Sequence, residues 1–479
     1  MPPAATIDEA RPDFDPLAAA HHDDQPVAAT IDEARPDFDR HFRRAVWITA
    51  LITVIAAGMI YADKAGDDRS AFIRWRPQVL QFWRGVNIYD RMMFPNPPIM
   101  PITLYPLMTL PPVEGALTWY ALKCGMAAFS IWLCFRMVRP DDRVLPSSVQ
   151  GAVVLLSFRP ILGDLHHGNN NLLILFLVVT CLYAWRKGYD VLAGLILGLA
   201  ISYKVTPGLF LLYFMYKGSW RTAGATLLGV GLFLVVVPGL VIGPDFNGEC
   251  LATWWRRMIT PFVEKGVVSQ QEINQSMVGV LTRLFTDSRT GTGRYDVHFD
   301  LNLAAWPPAV VAALVKALSV GMLGLLAWLC RTNTDRRDDP RLFGEFSLVV
   351  MAMLFLSERS WKHHFVTLVL PYTYLAYRVG VASISRQVRA ALVIVLILSA
   401  LLMATTSSEL GGLFVRHQGH KIAQGYGMFL WSAVVLFLAT AWRVRVEARD
   451  APDSLGATAE RPRATEPPFA RKRSGIVAG

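Results

Sequence analysis

Charge is scarce in this chain: Asp, Glu, Lys and Arg make up 18% of 479 residues, against 53% hydrophobic. That balance excludes a soluble globular domain, and the number of apolar runs excludes a single anchor. Cysteine is scarcer still. Of five, Cys124, Cys134, Cys181 and Cys330 fall inside apolar runs and only Cys250 lies in a segment expected outside, which leaves neither a disulfide framework nor a zinc spacing. No Gly-rich phosphate loop is present, so a nucleotide sugar has no cradle here. A cleavable leader is not expected either, because the first 40 residues are polar and acidic.

What is present is a series of apolar segments separated by short basic clusters. The net charge of +10 sits in those clusters and in the C-terminal tail, a pattern of membrane topology and not of a nucleic-acid groove. Twelve crossings are expected, at 45–62, 113–135, 147–162, 170–185, 190–203, 205–216, 222–242, 306–330, 343–356, 365–378, 388–406 and 424–442. Alternating them from a cytoplasmic N-terminus leaves Arg136, Arg139, Arg186, Lys187, Lys217, Arg331, Arg336, Arg337, Arg378 and Arg443 inside, as the positive-inside rule requires. The expected protein is therefore an all-α, multi-pass protein of the cytoplasmic membrane with both termini inside.

One step of this count needs an argument. Residues 191–216 would form a single helix of about 39 Å at 1.5 Å per residue, with Lys204 and Pro207 in its middle. Two short helices meeting near Lys204 are preferred, since Pro favours a break and basic residues flank both ends. Three parts follow: a disordered cytoplasmic tail at 1–42, a membrane domain at 43–443 and a second disordered tail at 444–479. The first tail repeats one segment, AATIDEARPDFD, at Ala4–Asp15 and Ala28–Asp39. Two polar, Pro-containing copies cannot build a repeat fold.

The same topology places the unexplained polar residues on one outer mouth: Asp67, Asp68, His166, His167, Asn169, Lys204, Asn274, Gln275, Ser276 and the run Glu358 to His364. Ionisable groups at membrane depth are costly unless used. Two long outer segments, 63–112 and 243–306, carry an amphipathic stretch at Phe72–Trp83, a short apolar run ending at Pro111 and the anchor-like Trp254-Trp255-Arg256-Arg257. They read as interfacial or re-entrant pieces.

These residues are familiar as a set. Gly85-Val86-Asn87-Ile88-Tyr89-Asp90 with Pro97-Pro98 and Pro111, His167-Gly168-Asn169-Asn170-Asn171-Leu172, Ala193-Gly194 through Lys204 and Pro207, Asn274-Gln275-Ser276 with Arg283, and Ser360-Trp361-Lys362-His363-His364 occur in order between about residues 63 and 372. Together they resemble glycosyltransferase family 87, the polyprenyl-phosphate-mannose-dependent membrane mannosyltransferases. The resemblance implies a GT-C-like bundle and an inverting displacement with an Asp general base. That family's acid lies in an Asp-Phe pair about 18 positions before the loop tyrosine, where this chain has Ala71-Phe72. The acid is displaced here, and Asp68, with Asp67 as its rival, is nearest.

Sugar leaving on a phosphate asks for a carboxylate to take the acceptor's proton and for cations to hold the developing anion. Lys204, His363, His364, His167 and His166 are the expected phosphate donors, and Asn169, Asn274, Gln275 and Tyr89 the expected sugar or acceptor contacts. The competing readings of the same residues are helix caps, interface anchors and a snorkelling lysine. The His pairs and acids also raise a divalent metal, but no His-x-x-x-His spacing supports one and no metal is assigned. No cofactor is called for, because the lipid-linked sugar is itself the activated substrate. The expected partners are that donor, a lipid or envelope-glycan acceptor and membrane lipids, with no nucleic acid. A twelve-helix transporter or flippase is the alternative from another class; such proteins place ionisable groups near the midplane within internal repeats.

Overall fold

The computed structural model describes residues 36–139, 144–264, 266, 268–287, 301–408 and 418–450. Among these, every regular element is a helix. That follows from the composition, since backbone groups shielded from water must pair within their own segment.

The chain opens with α1 (Pro36–Gly66), α2 (Ala71–Phe82), the single turn α3 (Ile88–Arg91) and α4 (Ile99–Met108). It continues with α5 (Pro112–Met137), α6 (Ser147–His167), α7 (Asn171–Arg186), α8 (Asp190–Tyr203) and α9 (Gly208–Tyr216). Next come α10 (Trp220–Gly231), prolonged through a π turn to Ile242, then α11 (Pro244–Trp254) and α12 (Met277–Phe285). The last are α13 (Pro308–Leu329), α14 (Pro340–Leu356), a 3-10 stretch Lys362–Leu368 running into α15 (Val369–Gly380), α16 (Arg386–Ala404) and α17 (Met428–Asp450).

Each of the twelve expected crossings contains a helix, but among the described residues six are long and apolar enough to cross alone: Arg44–Gly66, Pro112–Met137, Trp220–Ile242, Pro308–Leu329, Arg386–Ala404 and Met428–Arg449. These six expose apolar side chains outward, Ile52, Leu240 and Val320 among them, as lipid-facing helices do. In contrast, α14 is buried nearly all round, from Leu342 to Phe355. A helix apolar on every side belongs at the centre of a bundle.

The break at Lys204 is real. Lys204 is extended (φ −158°, ψ 129°) and Pro207 caps the helix that restarts at Gly208. Both feet of the resulting hairpin, away from Lys204, meet one segment: Asp190 pairs with Arg337, while Lys217 donates to the Cys330 and Thr332 carbonyls at 3.0 and 2.6 Å and pairs with Glu345 at 2.8 Å. The chain therefore goes in and comes back, and Lys204 is at the tip. At 1.5 Å per residue the arms reach about 21 and 14 Å, short of a roughly 30 Å hydrocarbon core.

Two boundaries differ from the sequence reading. Helix takes in residues 36–42 and 444–450, which composition gives to the tails. At the C-terminal end Glu447 anchors the extra turns through Arg378, Arg443 and Tyr374, while at the N-terminal end each residue added to an existing helix gains a hydrogen bond without a new nucleus. The first copy of the duplicated segment and residues 451–479 lie outside the described residues. Cys250, expected in an exposed loop, is buried within α11.

The closest helix pair is α8 against α10. A Cβ on Gly194 would stand 2.5 Å from the Thr222 carbonyl, and one on Gly198 2.7 Å from the Gly229 Cα. Hydrogen at those two positions lets the backbones touch. Gly198→Ala is expected to destabilise the protein by about 1–3 kcal/mol, read as a lower thermal midpoint in detergent. Gly125→Ala, with nothing within 4 Å of the added carbon, is the control and should not lower it.

Candidate active site

The loop after α14 carries the chemistry, and its shape is imposed from outside. Asn274 donates to the Ser269 and Glu358 carbonyls (2.9 and 3.2 Å) and accepts from the Ser276 and Ser360 N–H groups (3.2 and 3.1 Å). Gln275 donates to the Glu272 and Gln424 carbonyls (2.7 and 2.6 Å), accepts from Phe429 N–H at 3.3 Å, and its own N–H reaches the Ser360 carbonyl at 2.6 Å. Below them Arg283, fully buried, donates to the Gly425, Gln271 and Asn274 carbonyls. Asn274 and Gln275 are 0% exposed. They are braces for Ser360–His364, which corrects their expected contact with sugar: their amides are spent on backbone.

That bracing presents two histidines back to back. Asn169 Oδ1 accepts from Asn170 N–H at 2.7 Å, which orients its amide, so Nδ2 donates to His363 Nε2 at 3.0 Å. Neutral His363 then carries its proton on Nδ1, a buried atom with no protein partner among the described residues. His364 is the opposite: its Nδ1 accepts from Trp361 N–H at 3.2 Å, so its proton is on Nε2. Burial, then the charges of His167, His364 and Lys204, holds His363 well below the usual histidine range. Burial and Lys204 do the same for His364, and burial pushes His167 down to about 4. Held down in this way, all three rings serve as neutral donors or acceptors.

The two histidines line different cavities. His363 joins Lys64, Arg69, Arg74, His167, Trp361 and Lys362 around a cavity of about 280 Å³. His167 stacks on Trp361 (centroids 6.1 Å) and meets His363 edge-on at 4.5 Å, forming one wall. His364 faces a narrow pocket of about 20 Å³ with Lys204, Asn171, Thr206, Ser360 and the apolar Ile174, Met353 and Leu354, room for about one water. Gly168 makes this arrangement possible. It ends α6 in a left-handed turn (φ 73°), where a Cβ would stand 2.7 Å from Tyr61 Oη, and so returns Asn169–Asn171 beside His363.

The other expected residues divide. Asp67 pairs with Arg69 at 2.8 Å in the open, and Asp68 is exposed on the next residue with a left-handed backbone (φ 54°). Neither lines the two cavities, but Arg69, one position on, does. The His166 carbonyl accepts from Lys64 Nζ at 3.0 Å while its Nε2 is buried without a partner among the described residues. Tyr89 is 0% exposed and donates to the Asn96 carbonyl at 3.0 Å, so it fixes the 85–96 loop and is closed to substrate, which corrects its expected role. Trp254 braces the same loop through the Pro95 carbonyl, and Arg257 pairs with Asp90 at 2.7 Å. Lys64 and Arg74 were missed because single basic residues beside a membrane span read as topology, and their only signal was proximity to Asp67 along the chain. Lys362, within the outer run and the Ser360–His364 motif, was given no role of its own.

Comparison with known proteins gives the family. Residues 94–357, more than half of the chain, match glycosyltransferase family 87. A polyprenol-phosphate-mannose-dependent alpha-(1-2)-phosphatidylinositol pentamannoside mannosyltransferase of Mycobacterium tuberculosis is 25% identical over 286 residues, 58% of this chain and 56% of that protein. Its namesake in Mycolicibacterium smegmatis is 28% identical over 283 residues, 58% and 59% of the two chains. A polyprenol-phosphate-mannose-dependent alpha-(1-2)-phosphatidylinositol mannoside mannosyltransferase of Mycolicibacterium smegmatis is 26% identical over 306 residues, 60% and 62%. The chain thus spans less than two thirds of the length of these relatives. No solved structure matches it.

If Asn274 braces the loop, Asn274→Ala leaves the buried Ser360 N–H without its acceptor, at a cost of about 1–3 kcal/mol. A lower thermal midpoint together with faster proteolysis at residues 357–361 is the expected result. A substrate-contacting Asn274 would instead lower activity with stability unchanged.

Proposed function

Because the chain belongs to glycosyltransferase family 87, we propose that it is a membrane hexosyltransferase that moves mannose from a polyprenyl-phosphate donor to a lipid-linked acceptor on the outer side of the cytoplasmic membrane. The observation that carries this reading is the cavity at which Lys64, Arg69, Arg74 and Lys362 meet the wall of His167, Trp361 and His363. A GT-C-like bundle of about twelve crossings, with both termini cytoplasmic, is part of the proposal. Relatives named for phosphatidylinositol mannosides make a mannosylated phosphoinositide the acceptor class to try first. Membership in a transferase family removes the reason for a transporter or flippase.

In the proposed reaction the acceptor oxygen attacks C1 of the sugar as the bond from C1 to the phosphate oxygen breaks, inverting C1. The electron pair stays on the leaving polyprenyl phosphate, whose charge passes from about −1 to about −2. Four cations therefore hold the product side more strongly than the substrate side, which is what lowers a barrier. His363 Nδ1–H adds a neutral donor aimed at the same cavity, and Asn169 keeps one amide proton for a sugar hydroxyl. Lys204 and His364 act from behind that wall.

The proton must go to a carboxylate. His363 and His364 each spend their one lone pair on a neighbour, so neither is free to act as base without turning. Asp68 is the proposed base. Asp67 is its rival, already engaged by Arg69.

Membranes holding the protein, supplied with radiolabelled polyprenyl-phosphate mannose and phosphatidylinositol mannosides, are expected to form a longer glycolipid. Asp68→Asn should slow transfer by roughly 100- to 10,000-fold, with a smaller effect for Asp67→Asn. Parent-like rates in both variants would remove the carboxylate proposal. Arg74→Gln and Lys362→Gln should each cost on the order of 100-fold in kcat/KM for the donor. If the parent transfers from no polyprenyl-phosphate hexose, the functional reading fails.

A further inference from the structure

A row of charged and polar groups leads back from Lys204, and two of its members, Lys123 and Asp164, have no role above. Lys123, on α5, is 0% exposed and donates to the Asp164 carbonyl at 2.8 Å and to its carboxylate at 3.4 Å. Asp164, also 0% exposed, accepts from Asn171 Nδ2 at 3.2 Å across the Gly168 turn. Asn171 Oδ1 in turn accepts from Lys204 Nζ at 2.7 Å. The row runs Lys123, Asp164, Asn171, Lys204, from the inward face of α5 to the hairpin tip.

Its charges do not cancel. Two ammonium groups share one carboxylate, and Lys123 takes the closer hold on it. Counted with every group ionised, a remainder of +1 stands at the Lys204 end, which borders the His364 pocket and interacts with both His363 and His364. Lys204, Asp164, His363 and His364 are the titratable groups that meet there. An unbalanced positive charge inside an apolar bundle is costly unless an anion arrives to meet it.

We propose that Asp164 and Asn171 are positioning residues which, backed by Lys123, fix the Lys204 ammonium behind the histidine wall so that its surplus charge faces the donor's phosphate. This rests on the transfer reading above. The amide in the middle sets geometry: it points an acceptor at Lys204 and a donor at Asp164, so the ammonium is held without being neutralised. A carboxylate in direct contact would hold Lys204 as firmly but cancel the charge.

The test separates position from folding. Replacing a buried ion pair by apolar side chains is often neutral for stability, so K123M/D164L is paired with Asn171→Leu and thermal midpoints are measured for both. Acylation of Lys204 by an amine-reactive ester at a fixed pH about two units below the parent's acylation midpoint, read by mass spectrometry, is expected to run about tenfold faster in either variant, as for a one-unit fall in the ammonium's pKa. Donor KM should rise by a similar factor, matching Lys204→Met. The exchange D164N/N171D, which returns a carboxylate to Lys204, should restore slow acylation yet leave donor KM high. Parent-like acylation and donor KM in both K123M/D164L and Asn171→Leu would overturn the proposal, and Asn171→Leu decides alone if the double variant does not fold. Should the parent itself transfer no sugar, the transfer reading fails while acylation still decides whether the row holds Lys204.

Discussion

The cost of enclosing positive charge in an apolar bundle governs this structure. Lys123 and Arg283 are fully buried, Lys204 is half-buried at the hairpin tip, and the larger cavity gathers four more cations. The bundle meets that cost in two ways. Arg283 is surrounded by carbonyl dipoles and serves as a structural post. Lys123 is held by Asp164 and Lys204 by the Asn171 amide, while Arg69 reaches Asp67 in the open.

Proton inventory follows from the same economy of partners. His363 and His364 are adjacent, yet one has its lone pair occupied by a side-chain amide and the other by a backbone N–H. Their N–H bonds consequently belong to different tautomers and serve different cavities. A pair of histidines at an outer mouth reads in a sequence as two equivalent phosphate ligands. In the fold they are two unlike donors.

What the sequence made legible was the route of the chain. Pro207 and the basic residues on either side were enough to split 191–216 at Lys204, and ion pairs to one segment at both ends of the hairpin bear that out. The ordered motifs gave the family. Burial was not legible: Asn274, Gln275 and Tyr89 have side chains that suit a sugar, but each is turned onto backbone by packing that no local pattern announces. Lys64, Arg74 and Lys362 failed for the opposite reason, since their meaning comes from three separate elements converging. Asp164, in the last turn of α6, carried no motif at all, and the displaced acid of the family pattern drew attention to the 63–72 turn instead.

The hairpin that bears Lys204 is footed at the far end of the bundle, on Arg337 and Glu345, and touches the histidine wall only at its tip. Depth at the tip is accordingly a matter of counting residues from that footing. One residue more or fewer in α8 would shift the ammonium by about 1.5 Å and swing it by about 100°, so the arm works as a gauge whose length is written in the chain.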